Sequence, residues 1–451
     1  MTLFGLTIGS KAQFEFTRED FFRAHDRAKV LRARKGHHPL RLLWLLLGPG
    51  VLVMIGENDG PSMVSYATTG ATYGIGFFVP FILVTFLMAF VVQEMTVRVG
   101  VATHRGHAEL ILERFGPFWG YFALADLLFG NLLTLVTEFI AIQAGGLYFG
   151  IPPWLSMGVG VLIIFASFAL RRYATWERTL MVLALGNFLF VPAALMAHPD
   201  GAKLVAALAS WGPLPNFNAG FVTLILANVG ATVTPWMIFF QQSAVVDKGL
   251  TQADLPHSRS DTAIGAILAA VAGIATLVAA APLFEAHVDV SQFSSGADFA
   301  TSLQPLIGGP AASLFALGII EAGLLAAMTI STSSSYALAE VFHAEHSLNL
   351  DFSHGKLFFG VAIVSTLIAA TIPLIPGAPL VAMILTVNVI ATLLMAPALL
   401  LLLLIANDSE VMGRLANDWR ANWAGGACVV AISLVGAFYG LITVFPDLLP
   451  K

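Results

Sequence analysis

Apolar residues fall into long runs along the chain, and short polar connections separate these runs. Each run holds about twenty residues, which is the length that a helix needs to cross ~30 Å of hydrocarbon. The pattern therefore predicts an all-α polytopic membrane protein with about eleven transmembrane helices. The predicted helices are 42–72, 75–98, 115–143, 151–170, 177–197, 218–247, 262–284, 309–342, 357–374, 379–405 and 425–446.

The composition agrees with this class of protein. Of 451 residues, 57% are apolar and only 11% are charged, whereas an ordinary soluble domain has about one quarter charged residues. The single cysteine, Cys428, excludes a disulfide framework within the chain and a cysteine-built metal site. Neither a nucleophile–base set nor a phosphate-binding glycine loop is evident, so we expect no enzymatic activity and no cofactor.

The distribution of cations predicts the orientation, because loops rich in Lys and Arg stay on the cytoplasmic side. Of the 22 Lys and Arg residues, all but Lys203 and Lys451 fall in the N-terminal segment or at alternate connections. We therefore expect a cytoplasmic N-terminus and an external C-terminus in the plasma (cell inner) membrane. The net charge of −5 does not imply a nucleic-acid partner.

The predicted organisation is a cytoplasmic tail, residues 1–41, followed by a transmembrane transporter domain, residues 42–450. The basic tail is interpreted as solvated charge that sets the orientation, with contact to anionic lipid as the alternative. The lipid bilayer is the one macromolecular partner that the pattern requires, and a monomer would suffice.

A polar interruption divides the first apolar run. The segment 56–62, Gly-Glu-Asn-Asp-Gly-Pro-Ser, places two carboxylates, an amide and a Gly-Pro pair where a regular helix cannot continue. A break there frees backbone carbonyls that protein, water or an ion must satisfy, because lipid offers no partner. A central charge costs at least ~2.5–3.5 kcal/mol and usually marks a pathway. The alternative is a proline kink whose polar residues satisfy the freed backbone.

The sixth run has a matching interruption at 230–236, Gly-Ala-Thr-Val-Thr-Pro-Trp. Paired breaks at equivalent positions of two five-helix halves are typical of inverted-repeat transporters, which bind their substrate near the membrane midplane. The first repeat would be about 42–197, the second about 218–405, and 425–446 an additional helix.

Oxygen donors gather at these two breaks, and oxygen is the ligand that hard divalent ions prefer. Asp59 is the natural anchor for a cation. An amide in the tenth run, Asn388, is a further candidate, although an Asn there is equally suited to bridging two helices. The candidate metal ligands are Asp59, Ser62, Ala231, Thr234, Asn388, Gly56 and Glu57.

Three short motifs carry a resemblance to a known family. Gly-Pro-Gly at 48–50 precedes Asp-Gly-Pro-Ser at 59–62, and Thr-Pro-Trp follows at 234–236. With these motifs the chain resembles the Nramp family of divalent metal transporters over nearly all of its length. In that family the first broken helix carries Asp-Pro-Gly-Asn and the sixth carries Met-Pro-His. The resemblance implies a LeuT-like inverted repeat in which helices 1 and 6 are broken.

The resemblance also implies roles for individual residues. Asp59 matches the metal-binding Asp of the family, and Ala231 matches the residue that lends a backbone carbonyl. Ser62 stands in place of an Asn ligand, Thr234 in place of a Met ligand, and Asn388 in place of a Gln. These changes place the chain in a divergent branch that resembles the Nramp-related magnesium transporters.

The missing Met bears directly on the substrate. A thioether is soft and favours transition metals over Mg²⁺, whereas the hydroxyl of Thr234 is hard and gives no such preference. Short hydroxyls also leave room for the waters that Mg²⁺ retains. We therefore expect import of Mg²⁺, with Mn²⁺ as a second candidate. The alternative is that Thr234 caps a helix while a Mn²⁺-selective site uses other ligands.

The proton relay of the family is altered as well. Family members couple metal entry to protons through a His after the sixth-helix Pro and through acids on the third helix. Here the His position is Trp236, and only Glu138 remains on the third helix, with Leu135 where another acid is expected. We expect weak or no proton coupling. The alternatives are a proton-coupled Mn²⁺/Fe²⁺ importer and, from another class, a membrane metal sensor that does not transport.

Three further polar residues are candidates for proton transfer or gating, alongside Glu138 and Trp236. Gln241 follows the second break, and Lys248 ends the same run. Lys248 matches a basic residue of the family, although a charge that anchors the inner end of the helix explains it equally well. Glu321 lies within the eighth run, where it would either pair with a buried partner or line an exit path.

Overall fold

The computed structural model describes residues 18–375 and 377–445, and every regular element within these ranges is helical. The predicted tail segment 1–17 and the last residues of the chain, including Lys451, lie outside the described residues. The helices are α1 (Arg18–Lys35), α2 (Pro39–Leu46), α3 (Pro49–Gly56), α4 (Gly60–Tyr73), α5 (Phe78–Thr103), α6 (His107–Phe115), α7 (Pro117–Tyr148), α8 (Pro153–Phe168), α9 (Tyr173–Leu183), α10 (Phe190–Met196), α11 (Gly201–Ser210), α12 (Ala219–Gly230), α13 (Pro235–Asp247), α14 (Leu255–Glu285), α15 (Ala297–Ile307), α16 (Gly309–Val341), α17 (Lys356–Thr371), α18 (Leu380–Asn407), α19 (Ser409–Met412) and α20 (Trp419–Val444).

Nine apolar helical segments of the described chain are long enough to cross a membrane, and a tenth forms if α2 and α3 are joined across their 52° bend. These nine coincide with nine of the eleven predicted spans. The other two predictions are the first span, which is built from the short helices α2, α3 and α4, and the fourth, which is the 16-residue α8. The protein is therefore a multi-pass helical membrane protein.

The first span has a bend near its start that was not predicted. The sequence indicated a continuous start from residue 42, but α2 ends at Leu46 and the chain bends before α3 begins at Pro49. Buried Asp261 of α14 explains the start of α3, because its carboxylate accepts the N–H groups of Gly48, Gly50 and Val51 at 3.0, 2.7 and 3.2 Å. A side chain at position 48 would collide with the carboxylate of Glu177, so the bend requires glycine.

The helix α1 was not predicted, because its sequence is mostly polar and contains no apolar run. It packs on the transmembrane domain through Val30 and Ala33, which join an apolar cluster with Leu42 and Leu46 of α2. Arg27 and Arg34 both form ion pairs with the buried carboxylate of Asp254, next to the start of α14. The second half of the predicted tail is therefore part of the folded body.

Small residues allow the two interrupted spans to approach their neighbours closely. A side chain at Gly70 of α4 would collide with the carbonyl oxygen of Leu277 in α14. In the same way, Gly230 at the end of α12 faces the carbonyl oxygen of Asn388 in α18. Close backbone contact of this kind is the usual way in which membrane helices pack.

The contact at Gly230 gives a direct test of this packing. Gly230→Ala would force α12 away from Asn388, and we expect a loss of about 1–3 kcal/mol of stability, as for other overpacked sites. The measurement is thermal unfolding in detergent. Gly220→Ala on the same helix is the control, because its new methyl group would meet only the Asn218 side chain, at 3.5 Å. Equal melting temperatures for the two variants would contradict the close contact.

Candidate metal centre

The first break lies between the end of α3 at Gly56 and the start of α4 at Gly60. Asp59 is the N-cap of α4, and its carboxylate accepts the backbone N–H of Ser62 at 2.7 Å. Pro61 lies in the first turn of α4, where its missing N–H costs nothing. The break therefore brings the unpaired carbonyls at the end of α3 next to a carboxylate that the start of α4 fixes in place.

The second break separates α12 from α13, and one side chain joins it to the first. Thr234 is the N-cap residue of α13, but its hydroxyl forms no capping hydrogen bond. It donates instead to Oε2 of Glu57, at 2.9 Å. The Thr234 hydroxyl therefore accepts none of the free N–H groups of α13, although the residue stands at the N-cap position. The alternative of a Mn²⁺-selective site with other ligands stays a prediction.

Three carboxyl groups are buried around the first break. Glu57, Asp59 and Glu138 are each at most 1% exposed. Oε2 of Glu138 accepts the N–H of Gly60 at 3.1 Å, which makes Glu138 the neighbour of Asp59. One oxygen of Glu57 and one of Glu138 have no hydrogen-bond partner. Within the described chain, no Lys or Arg forms an ion pair with any of the three.

This cluster has a clear electrostatic consequence. A buried carboxylate is costly unless a positive charge accompanies it or it takes up a proton. Because the surrounding protein provides no cation, the cluster is suited to binding one from outside. The C-terminal ends of α3 and α12, at the two breaks, each add the negative end of a helix dipole.

The other candidate ligands differ in whether they already form hydrogen bonds within the protein. The hydroxyl of Ser62 is buried and has no partner, so it can coordinate an ion. The carbonyl oxygen of Ala231 accepts a hydrogen bond from the hydroxyl of Tyr66 at 3.0 Å. The amide of Asn388 donates to Ser65 at 2.9 Å, three residues beyond Ser62 on α4. Asn388 thus bridges two helices, as the alternative interpretation expected.

Trp236 covers the first break from the side of α13. It is 1% exposed, and a side chain at Gly56 would lie 3.3 Å from the rim of its indole ring. Its carbonyl oxygen accepts the hydroxyl of Ser333 in α16, and its ring packs on Phe240 with 6.0 Å between the ring centroids. The indole therefore lies beside the end of α3 and packs within α13, while the backbone of Trp236 is bound to α16.

Three predicted candidates lie away from the breaks. Gln241 donates to Thr262 of α14 at 3.1 Å. Glu321 accepts the amide of Asn187, in the 3-10 turn that connects α9 and α10, at 3.0 Å, so it has the buried partner that one interpretation expected. The ammonium of Lys248 contacts both carboxylate oxygens of Glu177 at 2.9 Å. None of the three contacts the carboxyl cluster.

Sequence reasoning missed residues that support the site. Tyr66 links the two broken spans, because its hydroxyl reaches Ala231 and lies 2.9 Å from the Thr232 hydroxyl. Asn58 ties the break to α14 by donating to the carbonyl of Ala269 at 2.7 Å. Tyr66 stands out as the one large polar residue in a run of small ones, which was a usable signal. No such signal marked Asp261, which looked like an ordinary charge near a helix end.

The donor set favours one type of ion. Among residues 18–375 and 377–445, no three His, Cys, Asp or Glu side chains are arranged to hold a metal. An ion at the breaks would therefore be held by few charged ligands, together with hydroxyl and carbonyl oxygens. A site of this kind suits a hard cation that keeps part of its water shell.

Comparison with known proteins agrees with this architecture. Residues 50–442 match the family described as Nramp, natural resistance-associated macrophage protein-like. The divalent metal cation transporter MntH of Yersinia pestis (strain Pestoides F) is 26% identical over 415 residues, which cover 89% of this chain and 96% of that protein.

Solved structures share the fold. The manganese transporter of Eremococcus coleocola, in complex with an aromatic bis-isothiourea substituted compound, has a TM-score of 0.72 at 19% identity, covering 92% of this chain and 90% of that one. A Na⁺-coupled sialic acid symporter in a substrate-bound outward-open state has a TM-score of 0.57 at 12% identity, covering 95% and 93%. The fold is the LeuT-like inverted repeat of two five-helix halves, with helices 1 and 6 broken. Since the family match extends over most of its length, the chain belongs to the Nramp family.

Proposed function

We propose that this protein is a secondary transporter that imports divalent metal ions, with Mg²⁺ as the main substrate and Mn²⁺ as a second one. It would work by alternating access, with weak or no proton coupling. The observation that carries the proposal is the cluster of three buried carboxyl groups around the first helix break, with which no Lys or Arg of the described residues forms an ion pair. A divalent ion would supply the missing positive charge.

The choice of Mg²⁺ depends on the chemistry of the ligands. The residues at the breaks offer carboxylate, hydroxyl and carbonyl oxygens, and Thr234 stands in place of a sulfur ligand. Its hydroxyl donates to Glu57, so the side chains at the second break also offer hard oxygen ligands. Oxygen ligands of this kind give transition metals none of the advantage that a thioether gives. Carboxylate and carbonyl oxygens also suit Mn²⁺, so such a site would accept it as a second substrate.

Weak proton coupling follows from the residues at the positions where family members carry their proton-transferring His and acids. Trp236 cannot carry a proton, and Leu135 is apolar. Glu138 remains as the single acid among these positions, and one of its oxygens accepts the N–H of Gly60 at the start of α4. The membrane potential alone gives an entering divalent ion ~2.3 kcal/mol per charge per 100 mV, which is enough to drive uptake.

We place the protein in the cell membrane with the N-terminus in the cytoplasm and the C-terminus outside. The basic residues of α1 and of the connections that face it support this orientation. Lys203, which is predicted to lie outside, forms an ion pair with Glu285 at 2.9 Å, next to the acidic loop between α14 and α15. We propose the same domain limits as from the sequence, with α1 packed on the transmembrane domain.

Uptake into liposomes tests both substrate and coupling. Purified protein would be reconstituted with a dye for Mg²⁺ or Mn²⁺ and a pH dye inside, under a fixed inside-negative potential. We expect Mg²⁺ entry without internal acidification. Acidification that follows Mn²⁺ entry, in the absence of Mg²⁺ entry, would contradict the proposal and favour a proton-coupled Mn²⁺/Fe²⁺ importer. Entry of neither ion would favour the sensor.

A further inference from the structure

A cavity of about 420 Å³ lies outside the metal centre, between α1, α2, the first turn of α9 and the end of α13. It belongs to the face of the protein where α1 packs on the transmembrane domain. Its walls carry many charged side chains, and the function proposed above uses none of them in binding metal. The charged residues of the walls are Arg23, Asp26, Arg27, Lys29, Arg172, Glu177, Arg178, Asp247 and Lys248.

Positive charge exceeds negative charge in these walls. A single carboxylate, that of Asp26, serves both Lys29 at 2.8 Å and Arg172 at 2.9 Å. Arg178 forms no ion pair with any carboxylate that the structure describes. Its guanidinium stacks over the ring of Trp44 at 4.8 Å and donates to the Trp44 carbonyl at 3.3 Å. The positive end of the α9 helix dipole points to the same cavity, because the first turn of α9 lines it. The cavity is therefore suited to an anion.

One wall of the cavity is apolar and lies on a helix with the geometry of an interfacial segment. The axis of α2 is bent by 52° from that of α3. Leu40 and Trp44 are 81% and 55% exposed on one face of α2, whereas Leu42 and Leu46 are buried on the other. A short helix that exposes Trp and Leu beside basic residues is typical of the boundary between lipid headgroups and acyl chains. Trp44 and Leu45 line the cavity from this helix.

We propose that this cavity binds the headgroup of an anionic phospholipid. Lys29, Arg172 and Arg178 would contact the phosphodiester, and the upper part of an acyl chain would lie against Trp44 and Leu45. The combination of a cationic wall with an apolar interfacial wall fits a lipid better than it fits a soluble anion, which would gain nothing from the apolar side.

A bound lipid would have a mechanical role in the fold. Lys248, in the wall of the cavity, donates to the carbonyl oxygens of Leu46 and Leu47 at 3.2 and 2.8 Å. It thereby holds the junction between α2 and α3, while Glu177 holds Lys248. A lipid that contacts both α2 and α9 would restrain the same junction. It would therefore stabilise the beginning of the first span.

The test measures binding of phosphatidylglycerol to the full chain in nanodiscs of otherwise zwitterionic lipid, using a labelled lipid and thermal unfolding. We expect phosphatidylglycerol to raise the melting temperature. The double variant Arg172→Gln/Arg178→Gln should bind phosphatidylglycerol with an affinity at least about tenfold lower. The matched control is Arg414→Gln/Arg420→Gln, which removes two exposed cations that are predicted on the same face and should bind as the unaltered protein does.

Two additional arms keep the outcome unambiguous. Arg172→Lys/Arg178→Lys retains both charges and should recover most of the binding, which shows that a loss in the glutamine variant comes from the missing charge. Inorganic phosphate is added alone in a separate arm. Equal lipid binding by the double variant and the unaltered protein would overturn the proposal. Full stabilisation by inorganic phosphate, with displacement of the lipid, would overturn it in favour of a soluble phosphate ligand. Both readouts are independent of metal transport.

Discussion

Asp59→Ala is expected to abolish transport of both Mg²⁺ and Mn²⁺. The change removes a buried carboxylate at the first break, and no Lys or Arg in the described part of the chain forms an ion pair with it. Removal of one partner of a buried charge pair costs about 2–5 kcal/mol. The affinity for the ion would fall at least ~30-fold. The measurement is uptake of each ion into liposomes, with protein incorporation checked for every variant.

Two controls separate the charge of Asp59 from its role as a helix cap. Asp59→Asn retains a good N-cap side chain but has no charge, so it should fold normally and still fail to transport. Asp200→Ala removes another N-cap aspartate, whose carboxylate accepts the N–H groups of Ala202 and Lys203 at the exposed start of α11. That variant should transport normally. Undiminished ion flux in Asp59→Ala would refute a metal site at the break.

Thr234→Met should shift the selectivity from Mg²⁺ towards Mn²⁺ and Cd²⁺. The new thioether is a soft ligand, and it replaces a hydroxyl that now donates to Glu57 at 2.9 Å. We expect the ratio of Mn²⁺ to Mg²⁺ uptake to rise on the order of tenfold, which corresponds to ~1.4 kcal/mol. Competition between the two ions during uptake measures this ratio directly.

A second substitution at the same position isolates the effect of sulfur. Thr234→Val has nearly the volume of the original side chain but can neither donate to Glu57 nor act as a soft ligand. It should lower Mg²⁺ uptake without increasing the preference for Mn²⁺. An unchanged ratio of the two ions in Thr234→Met, or the same shift in both variants, would contradict the explanation based on ligand softness.

The helix breaks could be predicted because the membrane makes interruptions costly. Glycine, proline and acidic residues at 56–62 are incompatible with a regular helix in lipid, whatever the surrounding structure. The sequence therefore located the end of α3 and the start of α4 to within a few residues. It also located the break between α12 and α13. Long apolar runs were equally informative, since length alone predicts that a helix can span.

The partners of individual side chains could not be predicted in the same way. Successive helix positions differ in direction by about 100°, and a sequence does not fix how each helix is rotated against its neighbours. The amide nitrogen of Asn388 donates to Ser65, a partner that the sequence did not indicate. Gln241 likewise faces Thr262. Asp261 holds the start of α3 from a helix more than two hundred residues later in the chain.

The polar helix α1 was missed for a different reason. Its stability comes from ion pairs and a few apolar contacts with the transmembrane domain, and a search for apolar runs detects neither. Tertiary contacts of this kind appear only when the whole chain is folded.

The decisive experiment is a structure of the protein with Mg²⁺ bound, supported by anomalous scattering from Mn²⁺ at the same position. We expect one ion beside the carboxylate of Asp59, between the end of α3 and Thr234, with oxygen ligands only and several retained waters. An ion bound away from the two helix breaks, or one coordinated by a sulfur or a histidine nitrogen, would contradict it.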